Sequence, residues 1–202
     1  MQEQQTEEER WDEKLHIRTA GRDDAAEDAH HYPYEPTPYA VLQKVADAGW
    51  VTRDDVLFDL GCGKGRVSLF LAAVTGCRCI GIDFLESFVE EARKNAADAG
   101  LEEAVRFACE RAEACTVPAE VTAVFLFNPF SVTILKAALA RLSASWYEAP
   151  RRMKVMAYYP SEEYVAALMQ EEWLTFDDEL DCADLFPGDV RERVLCFVAE
   201  EI

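Results

Sequence analysis

The chain has 202 residues, half of them hydrophobic, which is enough for one sizeable core but leaves little for a second full domain. Its formal net charge of −19 would repel phosphate backbones and anionic headgroups, so nucleic acid and membrane surfaces are disfavoured as general partners. The beginning of the chain is acidic and Gln-rich, and no apolar run reaches the roughly 18 residues that a membrane span needs.

The seven cysteines are an odd number, and several lie inside apolar runs, as Cys196 does between Leu195 and Phe197. This pattern favours buried free thiols in a reducing compartment over a disulfide framework, and we expect a cytosolic protein. Cys77 and Cys79 are two positions apart, and we expect them to face opposite sides of a strand, which would make a poor metal pair. We therefore expect no metal site.

The first residues in chain order, 1 to about 28, are strongly charged with scattered apolar positions, which is compatible with one weak amphipathic helix or with disorder. We divide the chain into a charged N-terminal segment, residues 1–30, and a folded domain, residues 31–202. Three prolines from Pro33 to Pro38 favour extended backbone. Thr37 and Pro38 then predict an N-cap and first helical position, with a helix to about Ala48.

From there, short apolar segments alternate with amphipathic segments, which predicts strands alternating with helices. Further helices are expected near residues 64–75, 85–100, 131–144 and 161–171. The predicted strands are Val56–Leu60, Cys79–Asp83, Val105–Cys109, Ala123–Asn128, Lys154–Tyr159, Leu174–Asp181 and Arg193–Glu200.

This alternation predicts an α/β fold with a seven-stranded, mostly parallel sheet, right-handed crossovers and helices on both faces. The last two strands have no helix between them, only a turn-forming region from Phe186 to Asp189. They should therefore pair as an antiparallel hairpin at the C-terminal end of the chain.

The first strand runs directly into a glycine-rich loop, Gly61-Cys62-Gly63-Lys64-Gly65, and then into a helix beginning near Arg66. Alternate glycines let the backbone turn sharply and approach a ligand beneath the positive end of the helix. An NTPase loop needs Ser or Thr after Lys64, where this chain has Gly65. A dinucleotide loop would place its third glycine at Arg66, so neither reading fits.

The loop, with Asp59 two residues before its first glycine, resembles motif I of class I S-adenosylmethionine-dependent methyltransferases. The resemblance implies a Rossmann-like methyltransferase fold, with Asp59 orienting the cationic methionine end of S-adenosylmethionine. Asp83 ends the second strand, where a carboxylate can accept hydrogen bonds from ribose hydroxyls. The residues expected to bind this cofactor are Asp59, Gly61, Cys62, Gly63, Gly65, Asp83, Phe84, Arg111 and Ala112.

Arg111 stands where the family often has an aspartate at the adenine edge, so only backbone contact from Arg111 and Ala112 carries over, with Glu113 a weaker candidate. The fourth predicted strand delivers Asn128-Pro129-Phe130 at its carboxyl end. This segment resembles motif IV of amino-group methyltransferases, although it has one proline where that motif has two. The alternative is a purely structural role, in which Pro129 ends the strand and Ser131 caps the next helix.

Methyl transfer is an in-line displacement, so its rate depends largely on alignment and desolvation. The resemblance implies that Asn128 would accept a hydrogen bond from the target N–H while Phe130 packs against the acceptor. The Tyr34–Tyr39 segment could cover the cofactor, and Tyr159 ends the fifth strand at the same sheet edge. The residues expected to act on the acceptor are Asn128, Pro129, Phe130, Tyr34 and Tyr159.

From about His31 to Phe197 the chain resembles a group of small bacterial methyltransferases of this family. The function expected is methyl transfer to a nitrogen of a protein or a small molecule. An oxygen methyltransferase with His30 or His31 as general base stays open, as does a nucleoside-binding module without turnover. Nucleic-acid methylation is a weaker alternative because the negative charge opposes it.

Overall fold

A computed structural model describes residues 6–22 and 34–200 of the chain. The helices are α1 (Glu7–Leu15), α2 (Tyr39–Asp47), α3 (Arg66–Thr75), α4 (Glu86–Asp98), α5 (Val132–Glu148) and α6 (Glu162–Met169). The strands are β1 (Val56–Leu60), β2 (Arg78–Asp83), β3 (Val105–Cys109), β4 (Ala123–Leu126), β5 (Met153–Tyr158), β6 (Thr175–Asp181) and β7 (Arg193–Ala199).

The strands form one seven-stranded sheet in the order β3-β2-β1-β4-β5-β7-β6. The pairs from β3 to β5 are parallel, and β7 pairs antiparallel with both β5 and β6. The predicted α/β fold with an antiparallel C-terminal hairpin is therefore confirmed. The strand order reverses between β1 and β4, the point at which open α/β sheets form a crevice at their carboxyl edge.

Alternate residues of the central strands pack on opposite faces of the sheet, as the pleat requires. Leu57 and Phe125 join a core with α2, α3 and α4, whereas Phe58 and Val124 join a second core with α5 and α6. All five residues of β1 and all four of β4 are buried, since helices cover both faces of these strands. The rigid centre of the fold thus holds the two loops that follow β1 and β4.

The boundaries of several elements differ from the sequence predictions. β4 ends at Leu126, so Asn128 lies beyond the strand. Pro38 occupies the N-cap of α2 and the helix begins at Tyr39, one residue later than predicted, because Pro38 keeps an extended ψ of 138°. Helix α5 continues to Glu148, well past residue 144, because Leu142 and Trp146 extend its buried face.

The described part of the N-terminal segment contains α1. Thr6 and Glu9 form a capping box at its start, and His16 ends it in a left-handed conformation with φ of 58°. Trp11 packs edge-on against Phe70 of α3 at a centroid distance of 4.8 Å. The division of the chain at residue 30 stays a prediction, because residues 23–33 lie outside the described part.

The expected orientation of Cys77 and Cys79 was wrong. Their Sγ atoms lie 3.5 Å apart, both buried beside α3. Residues two apart along extended backbone face the same side, because the side-chain period of a strand is two. All seven cysteines are free thiols, and only Cys109 is exposed. Within residues 6–22 and 34–200, no set of side chains is grouped as a metal site would require.

None of the helices in the described part of the chain is long and apolar enough to cross a bilayer.

Candidate functional site

A cleft of about 1240 Å³, counting the open space at its mouth, lies at the carboxyl edge of β1, β2 and β4. This is the position at which ligands bind in open α/β sheets, beside the reversal of strand order. Along the sheet edge, Phe84 and Ala112 follow β2 and β3 at one end of the cleft, and Asn128 and Tyr159 follow β4 and β5 at the other. The loop after β1 lies between these two ends.

The glycine-rich loop connects β1 to α3, and its three glycines all have positive φ, from 51° to 87°. The N–H groups of Gly61 and Cys62 both donate to the carbonyl of Ile82, at 2.9 Å, which fixes the loop to β2. Gly61 and Cys62 line the cleft, whereas Gly63 and Gly65 lie behind its surface.

Each loop glycine is pressed against a different side chain. A methyl group at Gly61 would lie 2.6 Å from Cβ of Pro129, and one at Gly65 would lie 2.7 Å from Cζ of Phe107. A methyl group at Gly63 would overlap the ring of Tyr34. The glycines are therefore required by packing as well as by backbone conformation.

Asp59 is the penultimate residue of β1, lines the cleft and is 2% exposed. The Ser68 hydroxyl donates to its Oδ2 at 2.8 Å. Burial, only partly offset by that hydrogen bond, raises the pKa of Asp59 to about 7. A carboxylate in this position would gain from a cationic group in the cleft, because such a group favours its ionised form.

Asp83 ends β2 and ties its carboxylate to two backbone amides. Its Oδ2 accepts from the N–H of Gly63 at 2.9 Å, and its Oδ1 accepts from the N–H of Leu85 at 3.0 Å. Asp83 thereby joins the glycine-rich loop to the start of α4 while it also lines the cleft. A carboxylate oxygen can accept more than one hydrogen bond, so these two contacts are compatible with a ligand contact at the same side chain.

The cleft end away from Asn128 has apolar walls and one unsatisfied carboxylate oxygen. Phe84 and Ala112 line it as expected from the sequence, but Arg111 does not; its exposed guanidinium pairs with Glu113 Oε1 at 3.3 Å. Glu113 Oε2 is buried and has no hydrogen-bond partner among the described residues. Glu113, a weaker candidate from the sequence, lines the cleft and has a buried oxygen that could accept a hydrogen bond from a ligand.

The Asn128-Pro129-Phe130 segment follows β4 and lines the other end of the cleft. Asn128 adopts a left-handed φ of 39°, and its Oδ1 is buried without a hydrogen-bond partner in the described part of the chain. Phe130 is buried, and its backbone N–H and carbonyl both bond to the hydroxyl of Tyr164. Tyr164 therefore fixes the segment from the α6 side of the sheet.

Tyr159 lines the same end of the cleft and also has a left-handed φ, 51°. Its hydroxyl donates to Asp189 Oδ2 at 2.5 Å, and the Arg191 guanidinium lies over its ring at 4.4 Å. Asp189 and Arg191 belong to the loop between β6 and β7. This loop therefore supports Tyr159 in the wall of the cleft, a role that was not predicted from the sequence.

Tyr34 and Phe127 complete the aromatic walls, with Glu35 at the mouth. Tyr34 was expected at the site, and Glu35 belongs to the segment expected to cover the cofactor, but Phe127 and the buried Arg66 were not expected there. Phe127 precedes the Asn-Pro-Phe motif and Arg66 follows the glycine-rich loop, so adjacency to a motif is the signal that could have found both. His30 and His31, the candidate bases for oxygen methylation, lie outside the described residues.

Residues 57–151 match the family model described as "Methyltransferase domain". A protein-lysine N-methyltransferase of Saccharolobus islandicus is 33% identical over 66 residues, which is 32% of this chain. The match spans 41% of that relative, so well under two thirds of its length is covered.

Among solved structures, an RNA methyltransferase from Salinibacter ruber in complex with S-adenosyl-L-homocysteine aligns with a TM-score of 0.62 and 25% identity, over 83% of this chain and 95% of that chain. An S-adenosylmethionine-dependent O-methyltransferase from Thermotoga maritima aligns with a TM-score of 0.61 and 14% identity, over 84% and 68%. At that identity the second likeness concerns the fold alone. Together these proteins act on different kinds of acceptor.

Proposed function

The chain has the fold of class I S-adenosylmethionine-dependent methyltransferases, and on that premise we propose that it methylates a nitrogen atom of a protein or small molecule. The observation that carries the proposal is Asn128, whose Oδ1 is a buried acceptor without a partner in the described structure, in the same cleft as Asp59 and Asp83. A buried amide oxygen that lacks a donor gains most from a ligand N–H.

The polar groups of the cleft fit S-adenosylmethionine, which supplies an electrophilic methyl group on a sulfonium. Asp83 would accept from the ribose hydroxyls, and Asp59 would face the cationic amino group. Glu113 Oε2 would accept from the exocyclic amine of adenine, beside the apolar walls formed by Phe84 and Ile134. Three carboxylates would disfavour a pyrophosphate, so a dinucleotide fits this cleft less well.

At the other end, Asn128 would orient the acceptor by accepting an N–H hydrogen bond, so that the nitrogen lone pair faces the methyl group. Phe127 and Tyr159 supply aromatic surface there, and Tyr34 adds more from its place against Gly63; this surface excludes water and suits a planar or cationic acceptor. No side chain needs to form a covalent bond in this reaction. The left-handed backbone of Asn128 and Tyr159 is consistent with a site held by its surroundings.

The test is incubation of the purified protein with methyl-labelled S-adenosylmethionine and a panel of amines, amides, phenols, RNA and basic peptides. We expect label on nitrogen, located by mass spectrometry, with release of S-adenosylhomocysteine. Label on oxygen or on RNA would overturn the choice of acceptor. Cofactor binding without release of product across the panel would favour a nucleoside-binding module instead.

Asn128→Ala is expected to lower turnover about tenfold, the effect of losing one well-placed hydrogen bond in the transition state. Binding of S-adenosylhomocysteine should stay as in the wild type, because Asn128 is assigned to the acceptor. Steady-state kinetics with the acceptor found above and calorimetry with S-adenosylhomocysteine check the two parts. Unchanged turnover, or an equal loss of cofactor affinity, would contradict this assignment.

The raised pKa of Asp59 predicts that S-adenosylhomocysteine binds more tightly as the pH rises. The pKa of Asp59 is about 7, so at a lower pH the free protein holds a proton on this carboxyl group. The proton must leave before the carboxylate can pair with the ligand's ammonium. Affinity should rise by up to about tenfold per pH unit below neutrality and level off above it.

Calorimetry from about pH 5.5 to about pH 8.5 measures this dependence. 5′-Methylthioadenosine, which lacks the amino-acid portion, is the control ligand and should show no such slope. The variant Asp59→Asn should bind S-adenosylhomocysteine with the same weak affinity at every pH. A slope that persists in this variant would assign the titration to another group.

A further inference from the structure

The described N-terminal residues 6–22, here called the N-terminal clasp, are connected to the glycine-rich loop through Arg66, Asn95 and Tyr34. We infer that the clasp is part of the cofactor site and that Asp12 is its positioning residue. The cofactor half of this inference rests on the proposed function. The sequence reading treated the same residues as a charged segment separate from the folded domain.

Asp12 is the centre of the clasp and is only 9% exposed. Its Oδ2 accepts from the backbone N–H groups of Thr19 at 2.8 Å and Ala20 at 3.1 Å. Its Oδ1 accepts from the Thr19 hydroxyl at 2.7 Å and the Tyr39 hydroxyl at 2.6 Å. Four donors on one carboxylate fix the chain reversal from α1 to Thr19 and attach it to α2.

The first connection to the loop runs through Arg66, the residue after Gly65 and the first of α3. Arg66 is 3% exposed; its Nε donates to the Thr19 hydroxyl at 2.7 Å, and it forms a salt bridge with Glu8. Its Nη2 lies 3.7 Å from Asp12 Oδ1. The charge of a buried guanidinium is thus balanced by α1, and removing that balance would leave it uncompensated at the end of the loop.

The second connection runs through Asn95 of α4, which is 2% exposed. Its Oδ1 accepts from the N–H of Arg18 at 2.9 Å, and its Nδ2 donates to the carbonyl of Lys64 at 3.0 Å. Lys64 lies in the middle of the loop. One amide side chain therefore joins the clasp to the backbone of the loop.

The third connection runs through Tyr34, whose hydroxyl donates to the carbonyl of Thr19 at 2.7 Å. The ring of Tyr34 lies against Gly63, where a side chain would overlap it, and it packs on Phe88 at 5.2 Å. Gly63 in turn donates to Asp83, the ribose ligand of the proposed site. Gly63 and Lys64 of the loop, and Arg66 directly after it, are thus each in contact with a side chain or backbone group that is bonded to the clasp, or are bonded to the clasp themselves.

The physical consequence is that the loop conformation that fits the cofactor depends on the clasp. The experiment measures the affinity for S-adenosylhomocysteine by calorimetry, together with urea unfolding, for Asp12→Asn, Tyr34→Phe and Glu7→Gln. Asp12→Asn should weaken binding about tenfold, the effect of one charge-assisted hydrogen-bond set, and Tyr34→Phe about fivefold. Glu7→Gln removes one negative charge from an exposed position of α1 and should bind as the wild type does.

Tyr34→Phe separates positioning from simple destabilisation, because it removes only the hydroxyl that donates to the Thr19 carbonyl and keeps the ring against Gly63. We expect its affinity to fall while its urea midpoint stays at the wild-type value. If Asp12→Asn does not fold, Tyr34→Phe alone decides the matter. Wild-type affinity in Tyr34→Phe would then overturn the inference, as would wild-type affinity in both variants when both fold.

Amide hydrogen exchange on the ligand-free proteins gives a second readout that needs no cofactor. Exchange in residues 61–66 should become faster in Asp12→Asn and Tyr34→Phe, and residues 123–128 should stay protected. If the wild type binds no S-adenosylhomocysteine, the proposed function fails, and the exchange data still decide whether the clasp holds the loop. Unchanged exchange in residues 61–66 would overturn that connection.

Discussion

Asp83→Ala is expected to weaken S-adenosylhomocysteine binding by at least about a hundredfold, the equivalent of two charge-assisted hydrogen bonds. The carboxylate has two roles in the same place. It would accept from the ribose hydroxyls, and it already accepts from the N–H of Gly63 and the N–H of Leu85. Alanine removes the ligand contacts and frees the glycine-rich loop at once. Calorimetric titration measures the affinity.

Asp98→Ala is a matched control, since it removes a carboxylate from an exposed position of α4. It should bind as the wild type does. Asp83→Asn should fall between the two, because the amide keeps one acceptor oxygen but loses the charge. A dissociation constant for Asp83→Ala close to that of the wild type would remove the ribose assignment and weaken the proposed function with it.

Gly65→Ala is expected to lower the free energy of unfolding by about 3 kcal/mol, which combines left-handed strain with overpacking. Gly65 has a φ of 87°, and a methyl group there would lie 2.7 Å from Cζ of Phe107 and 3.2 Å from Cβ of Ala92. For a chain of this size the melting temperature should fall by roughly 6–12 °C. Urea and thermal unfolding without ligand measure both quantities.

Gly100→Ala isolates the backbone part of this effect. Gly100 also has a positive φ, 67°, but nothing lies within 4 Å of an added methyl group. Its cost should be about 1 kcal/mol. Phe107→Leu combined with Gly65→Ala should recover part of the loss, since the smaller side chain leaves room. Equal destabilisation by Gly65→Ala and Gly100→Ala would show that contact with Phe107 costs nothing.

Most of the strands could be predicted because they are short apolar or β-branched segments bounded by turn residues; β6, which is mostly acidic and exposed, is the exception. β1 and β4 are the clearest cases, since both are buried on both faces. The sequence of β4 is continuously apolar, and that of β1 is interrupted only by Asp59. The end of β4 was predicted at Asn128, but the strand ends at Leu126, and the cause is local. Asn128 leaves the extended region for a φ of 39°, and a strand cannot continue through that residue.

The contacts that support the cleft could not be predicted from the sequence, because they join residues that are far apart in the chain. Asp12 and Arg66 are separated by 54 positions, as their numbers show, and nothing in either local pattern marks the other. The same holds for Tyr159 and Asp189. Arg111 was expected to contact the cofactor through its backbone; it is not among the residues that line the cleft, and that contact stays a prediction.

The contact between Gly61 and Pro129 has a consequence for engineering. The residue that follows β1 on the donor side and the proline that follows β4 on the acceptor side touch, with no room for a methyl group between them. A larger residue at either position would move both halves of the cleft together. Under the proposed function, redesign of acceptor preference is therefore better directed at Tyr159, Asp189 and Arg191, which contact one another rather than the glycine-rich loop.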